Sequence, residues 1–509
     1  MKEVEDTMIN PLTRMDYPDP DVIRVGDTYY MISTTMHFMP GGVILRSYDL
    51  AHWEHLTYVY DQLEDNPAHN LDDGKGIYGR GMWAPCIRYA HNRFYVCFSA
   101  NDTRKTYLFE AEEITGPWRK RHIEGFYHDP SLLFDGDRAF IVYGHKEIWL
   151  TELEPDLSGP KPGGLHRLVV SDAGNTILGY EGSHIYKING KYYLFLIHSL
   201  PERWRRVQAC FVSDSLEGEF TGGDVLNDDR GYLDQGVAQG GIVDTPEGDW
   251  YAVLFQDSGA VGRIPILVPI RFENGFPVFG IDGKIPEEFP VKSTRPGHQY
   301  TPLYASDDFN YLPDAGGKVR LKPVWQWNHN PKDHLWSVTE KPGTFRIYTD
   351  KTVMDLCQAN NILTQRMAFP GCSGTVTIDA SGIKEGDYAG ICALQGCYQM
   401  IAITKNSGQY FAVVMGKPVD NPGLGQPVVY AKKWLESPQA TFRLTAEFLN
   451  MKDEVRFFIK EDGWLNMGGA LKVRFRLDHF TGCRFGLFMF STKEAGGYAD
   501  FSNFLYEIE

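Results

Sequence analysis

The sequence predicts an all-β fold, a five-bladed β-propeller followed by a β-sandwich. Three observations predict it. One hairpin signature recurs five times between residues 19 and 255. Its starts are 64, 46, 52 and 58 residues apart, the scale of a four-stranded propeller blade plus a variable loop. Past residue 305 the signature stops, yet short alternating strands continue to the end of the chain.

The clearest copy runs from Glu181-Gly182-Ser183-His184-Ile185 to Tyr192-Tyr193, with Asn189-Gly190 as the tight turn. The others begin Asp19-Pro20-Asp21, Trp83-Ala84-Pro85, Asp129-Pro130-Ser131 and Gln239-Gly240-Gly241. Each continues as an apolar strand, a turn and an aromatic-led strand. Ile264 to Phe272 reads as a further strand that closes the last blade, and the proline-rich, charged stretch from Lys284 to Thr301 reads as a linker. The propeller domain is therefore expected over 1–295 and the second domain over 306–509. In the second domain, runs such as Gly343 to Tyr348, Gly374 to Ile378, Ala440 to Thr445 and Phe485 to Phe490 carry the period-2 pattern of sandwich strands.

The formal charge of -16 excludes polyanionic partners, because nucleic acid or an anionic membrane surface would be repelled. The first residues contain no apolar core of a signal peptide, and no run reaches the about 18 apolar residues of a membrane helix. A cytoplasmic protein is the expectation. The eight cysteines form no Cys-x-x-Cys pair, which predicts buried free thiols.

In a propeller, the innermost strands surround one axis, so the repeat heads Asp19, Trp83, Asp129, Glu181 and Gln239 are expected to meet at one pocket. Three are carboxylates. Like charges gathered together resist ionisation, so stability alone gives no reason to collect them. Asp-Pro pairs also make ordinary turns, and such acids can hold a structural cation. Three acids in three blades instead suit glycoside hydrolysis, where one carboxyl protonates the leaving oxygen and another activates water or attacks carbon. Trp83 would offer a flat apolar face to a sugar or pack between blades. His37, after the first hairpin, is a candidate for the pocket rim, and Trp204-Arg205-Arg206 could meet a leaving sugar or lie on the surface.

The stretches Pro18-Asp19-Pro20-Asp21, Met82-Trp83-Ala84-Pro85, His128-Asp129-Pro130-Ser131-Leu132, Glu181-Gly182-Ser183-His184 and Gly262-Arg263 together resemble glycoside hydrolase family 43. The resemblance implies an inverting enzyme that removes β-D-xylose or α-L-arabinofuranose from small oligosaccharides. It implies Asp19 as general base, Glu181 as general acid, and Asp129 as the residue that orients the acid and tunes its pKa. It also implies that Arg263 hydrogen-bonds the innermost sugar. The second domain is similar to the family's concanavalin-like sandwich, whose loop at His479-Phe480-Thr481-Gly482 would bring Phe480 to the substrate. Where family members carry an axial histidine beside calcium, this chain has Gln239, so no cofactor is expected to be required and no metal ligand is assigned, while calcium at the propeller axis stays open. A homo-oligomer stays open.

Two other readings compete. A five-bladed fructan hydrolase would show Asn-Asp-Pro-Asn, Arg-Asp-Pro and Glu-Cys, none of which occurs at these positions. A non-catalytic sugar-binding propeller would be expected to lose at least one acid.

Overall fold

The computed structural model describes residues 6–417 and 427–508. Its helical content among these residues is four short 3-10 turns. Five four-stranded antiparallel sheets follow one another along the chain. The first blade comprises Asp21–Val25, Thr28–Ser33, Gly41–Ser47 and Glu54–Tyr60, and the remaining innermost strands are Cys86–Ala90, Ser131–Asp135, Glu181–Ile188 and Ala238–Asp244. Each predicted turn joins the first two strands of its blade. Arg263–Glu273 is the third strand of the last blade and Phe276–Phe279 its fourth.

Hydrogen bonds between inner strands close the ring. Gly241 N–H donates to Pro20 O at 3.0 Å, joining the fifth blade to the first. The axis itself is filled by charge. Arg88, from the second blade, donates to Asp21 Oδ2 at 2.7 Å, Ser131 Oγ at 2.8 Å and Leu132 O at 2.9 Å, so one guanidinium spans three neighbouring blades. His184 Nδ1 lies 3.1 Å from Asp21 Oδ1. Both charges of the Asp21–Arg88 pair are buried, and such a pair persists only when its remaining polar atoms are also bonded.

Part of the stretch read as a linker is ordered sheet: Glu288–Val291 pairs antiparallel with Asp6–Ile9. Pro290 is tolerated there because this ribbon has only two strands and one side of each is free of a ladder.

The second domain is a sandwich of an eight-stranded and a seven-stranded sheet. Every strand run named from the sequence lies in one of them. Phe442, Phe457, Phe485 and Phe501 are buried in the core between the sheets. One edge strand of the larger sheet, Phe38–Met39, comes from the connection between the second and third strands of the first propeller blade and pairs with Gln326–Asn328. The two domains therefore share a sheet as well as a core. At their seam Arg484, fully buried, stacks its guanidinium 3.5 Å over Phe38, and Cys483 N–H donates to Ala260 O at 2.8 Å.

Candidate active site

The backbone explains how the repeat heads reach one pocket. Ile87, Ile185 and Ile242 each donate their N–H to a side chain of an adjacent blade, Asp21, Ser131 and Tyr186, which fixes the equivalence of the inner strands. Three residues before these positions, and before Val22 and Leu132, stand Ala84, Gly182, Gln239, Asp19 and Asp129. Four of the five adopt left-handed backbone: Asp19 (φ 49°), Asp129 (46°), Gly182 (63°) and Gln239 (57°). Glycine and aspartate take this conformation more readily than most residues, and Gln239 takes it against that preference.

This register corrects the alignment of the repeats. Asp19, Asp129 and Gln239 are equivalent, whereas Glu181 and Trp83 sit one residue upstream of that position. In the fourth blade the left-handed residue is a glycine because a Cβ there would come within 2.6 Å of Gln239 Cδ. A bulge between Glu181 and His184 absorbs the offset.

The pocket holds a space of about 140 Å³ lined by Asp19, Trp83, Asp129, Glu181, Gln239, Arg263 and Phe480, together with Ala84, His128, Leu178, Trp204, Arg206 and Leu477. Phe480 stands edge-on to Trp83 at 5.2 Å between ring centroids and lies under the Arg263 guanidinium at 4.0 Å. The sandwich loop thus supplies one apolar wall and the second blade another. His37 is not on this wall. The short strand that follows it is drawn into the sandwich sheet, leaving the ring fully buried in the seam, 4.8 Å from His329 and 5.1 Å from His479.

Each carboxylate has a distinct environment. Asp19 accepts from Arg263 Nη1 at 2.5 Å and from Thr34 Oγ1 at 2.7 Å. Asp129 accepts the Gly182 N–H at 3.1 Å, so it holds the peptide that follows Glu181. Burial, reinforced by the nearby charges of Glu181 and Asp19, pushes its carboxyl up to about 6. Glu181 Oε2 lies 2.8 Å from His145 Nδ1 and 3.5 Å from His128 Nε2. Burial raises the Glu181 carboxyl, but hydrogen bonds and charge from these two imidazoles outweigh it and hold the group well below the usual carboxylate range. Burial lowers His128, yet the three surrounding carboxylates bring it up to about 9. Asp257 bridges the two pocket arginines: it pairs with Arg206, its Oδ1 is 3.5 Å from Arg263 Nε, and both guanidiniums stack on Phe255.

The repeats did not reveal His145, which ends the returning strand Arg138–His145, 16 residues after Asp129 in sequence. His128 stood in the quoted motif without a role. The ring nitrogens of these two histidines and the Glu181 carboxylate lie within 4.8 Å of one another, a grouping that their hydrogen bonds account for. At the axis, Asp21 is already paired with the Arg88 guanidinium and His184. Calcium takes six to eight oxygen ligands, and these residues do not fit it.

A pocket at the head of a propeller, walled by aromatic rings and holding three carboxylates and two arginines, is the site of a glycoside hydrolase. The sequence profile of Glycosyl hydrolases family 43 matches residues 8–277, and the chain belongs to that family. Residues 317–507 match the Beta xylosidase C-terminal Concanavalin A-like domain. Among characterised relatives, a beta-xylosidase of Formosa agariphila is 27% identical over 99% of this chain and 90% of its own length. A non-reducing end alpha-L-arabinofuranosidase of Bacteroides ovatus is 24% identical over 80% of this chain and 78% of its own. Among solved structures, a bifunctional GH43-CE protein of Bacteroides eggerthii superposes with a TM-score of 0.90 at 41% identity, covering 99% of this chain. This chain spans 64% of that protein's length. A GH43 glycoside hydrolase engineered to display endo-xylanase and exo-arabinofuranosidase activity superposes at 0.87 with 27% identity, covering 99% of this chain and all of that one.

Proposed function

We propose that the enzyme removes single terminal β-D-xylose or α-L-arabinofuranose units from xylo- and arabinoxylo-oligosaccharides by one displacement with inversion. The observation that carries this reading is the small pocket in which acids from three blades meet. A space of about 140 Å³ walled by Trp83 and Phe480 suits one sugar ring. A chain threading through would need an open cleft. That relatives are named both as beta-xylosidases and as an alpha-L-arabinofuranosidase supports keeping the two sugars together.

In this mechanism Asp19, oriented by Arg263 and Thr34, takes a proton from the attacking water. Glu181 protonates the departing glycosidic oxygen. Asp129 fixes the backbone next to Glu181 and, by its own charge, opposes ionisation of the acid. The histidines work in the other direction and hold the Glu181 carboxyl toward its ionised form.

Proton NMR of the sugar first released from a β-xyloside tests the reaction. Inversion yields the α-anomer first. The β-anomer as first product would make Asp19 or Glu181 a nucleophile and overturn the scheme.

A further inference from the structure

We propose that His145 is the proton relay that recharges Glu181 from solvent. The inference rests on the acid role proposed for Glu181. Each inverting turnover leaves Glu181 without a proton and Asp19 with an extra one, on different walls of the same pocket. A sugar filling that pocket stands between Glu181 and the water at its mouth. His145 reaches the same carboxylate from a different side: its Nδ1 is 2.8 Å from Glu181 Oε2, its side chain is 46% exposed, and it is not among the pocket-lining residues. His128, the other imidazole on Oε2, lines the pocket and is only 26% exposed.

The step balances as follows. The Nδ1–H bond of the His145 imidazolium breaks and an O–H bond forms on Glu181 Oε2, giving a neutral imidazole and a carboxylic acid. The imidazole then takes a proton from hydronium or a buffer acid. The proton released by the attacking water leaves Asp19 to solvent after product departs. The groups around His145 are Glu181 from the fourth blade, His128 from the loop before the third, and Lys146 and Glu147 in its own hairpin, the last paired with it across the strands. A ring with two nitrogens suits this task, since a proton can arrive at one as another leaves the other.

The experiment compares His145→Gln and His145→Ala in the full chain, with xylobiose and an aryl xyloside as substrates. Glutamine keeps a hydrogen-bond donor for Glu181 but cannot carry a proton. Both variants should lose about tenfold or more in kcat on xylobiose, within the range general acid catalysis commands. The loss on the aryl xyloside, whose leaving group departs without a proton, should be several-fold smaller. Added imidazole should restore the His145→Ala variant saturably. Wild-type turnover in His145→Gln, or no response to imidazole, overturns the relay and leaves at most a positioning role. Failure of the acid assignment itself reads differently: Glu181→Gln would then lose equally on both substrates.

Discussion

Asp16 holds Arg263 by its backbone: the Arg263 N–H donates to Asp16 Oδ1 at 2.7 Å, and the Tyr17 N–H next to Asp16 donates back to Arg263 O at 3.0 Å. The other Asp16 oxygen accepts the Gly482 N–H, also at 2.7 Å, two residues beyond Phe480. One buried carboxylate thus ties the arginine paired with Asp19 to the sandwich loop that walls the pocket. The contact is too close for any side chain between them, since a Cβ on Gly262 would come within 2.2 Å of Asp16 Oδ1 and one on Gly482 within 1.9 Å of Val261 O.

Asp16→Asn should therefore impair sugar binding from a distance. The amide can present only one oxygen, so one of the two N–H donors meets an NH2 group and stays unsatisfied, at about 1–3 kcal/mol. We expect a rise in KM for xylobiose larger than the fall in kcat, together with a lower melting temperature. A variant that melts early but keeps its KM would show that Asp16 only stabilises the seam.

Gly182→Ala should separate activity from stability. The added Cβ takes a left-handed conformation, costing about 1–2 kcal/mol, and presses on the amide end of Gln239, which can yield. The same change moves the peptide held by Asp129 and with it Glu181. Loss of kcat should greatly exceed what the modest drop in melting temperature implies, and combining it with Gln239→Ser should recover part of the activity. No recovery in the double variant would place the damage in the backbone rather than in the contact with Gln239.

The axial ion pair gives a stability prediction and a metal prediction. Arg88→Met leaves Asp21 buried with only His184 and Tyr186 as side-chain partners, and breaking such a pair costs about 3–5 kcal/mol. Urea unfolding should show the loss. Because the guanidinium already supplies positive charge at the axis, exhaustive dialysis against a chelator should leave kcat and melting temperature unchanged. A fall in either on chelation, reversed by calcium, would contradict the assignment.

Much of this architecture could be read from the chain because a propeller writes its blades as repeats. The turns at Asn189-Gly190 and Gly136-Asp137, the acids Asp19 and Asp129, and the strands of the sandwich all follow from local pattern. The one-residue offset of Glu181 did not, since a bulge changes register without changing the hydrophobic alternation beyond it. His145 was hidden for a different reason: it lies at the far end of a second strand and meets Glu181 only through the packing of two blades. His37 was misplaced because its loop carries no sign that the following residues pair with a sheet nearly 300 positions away. Long-range pairing of that kind has no local sequence signature.

The seam that captures His37 should make the enzyme acid-sensitive. His37, His329 and His479 are buried among one another's rings, and His55 is half-buried beside Tyr17. Burial lowers all four, His479 to about 4, His55 to about 3, and His37 and His329 well below the ordinary value. In the unfolded chain each titrates near 6.5, so below that pH the unfolded state binds protons the folded state refuses. Their contribution to stability is complete above about 6.5 and is lost as the pH falls toward the folded values. Asp16, Asp129 and Asp453, each pushed up to about 6 chiefly by burial, act with the opposite sign between about 4 and 6, so the net change in the wild type understates the histidine effect. Substitution isolates it. One fully buried neutral histidine should cost about 2 kcal/mol at pH 5 relative to pH 7, and His37→Leu, which keeps an apolar group of similar bulk in the seam, should remove that share. Urea unfolding of wild type and variant at pH 7 and pH 5 measures the difference. Equal pH dependence in both proteins would mean that His37 is protonated within the fold and that the seam accommodates its charge.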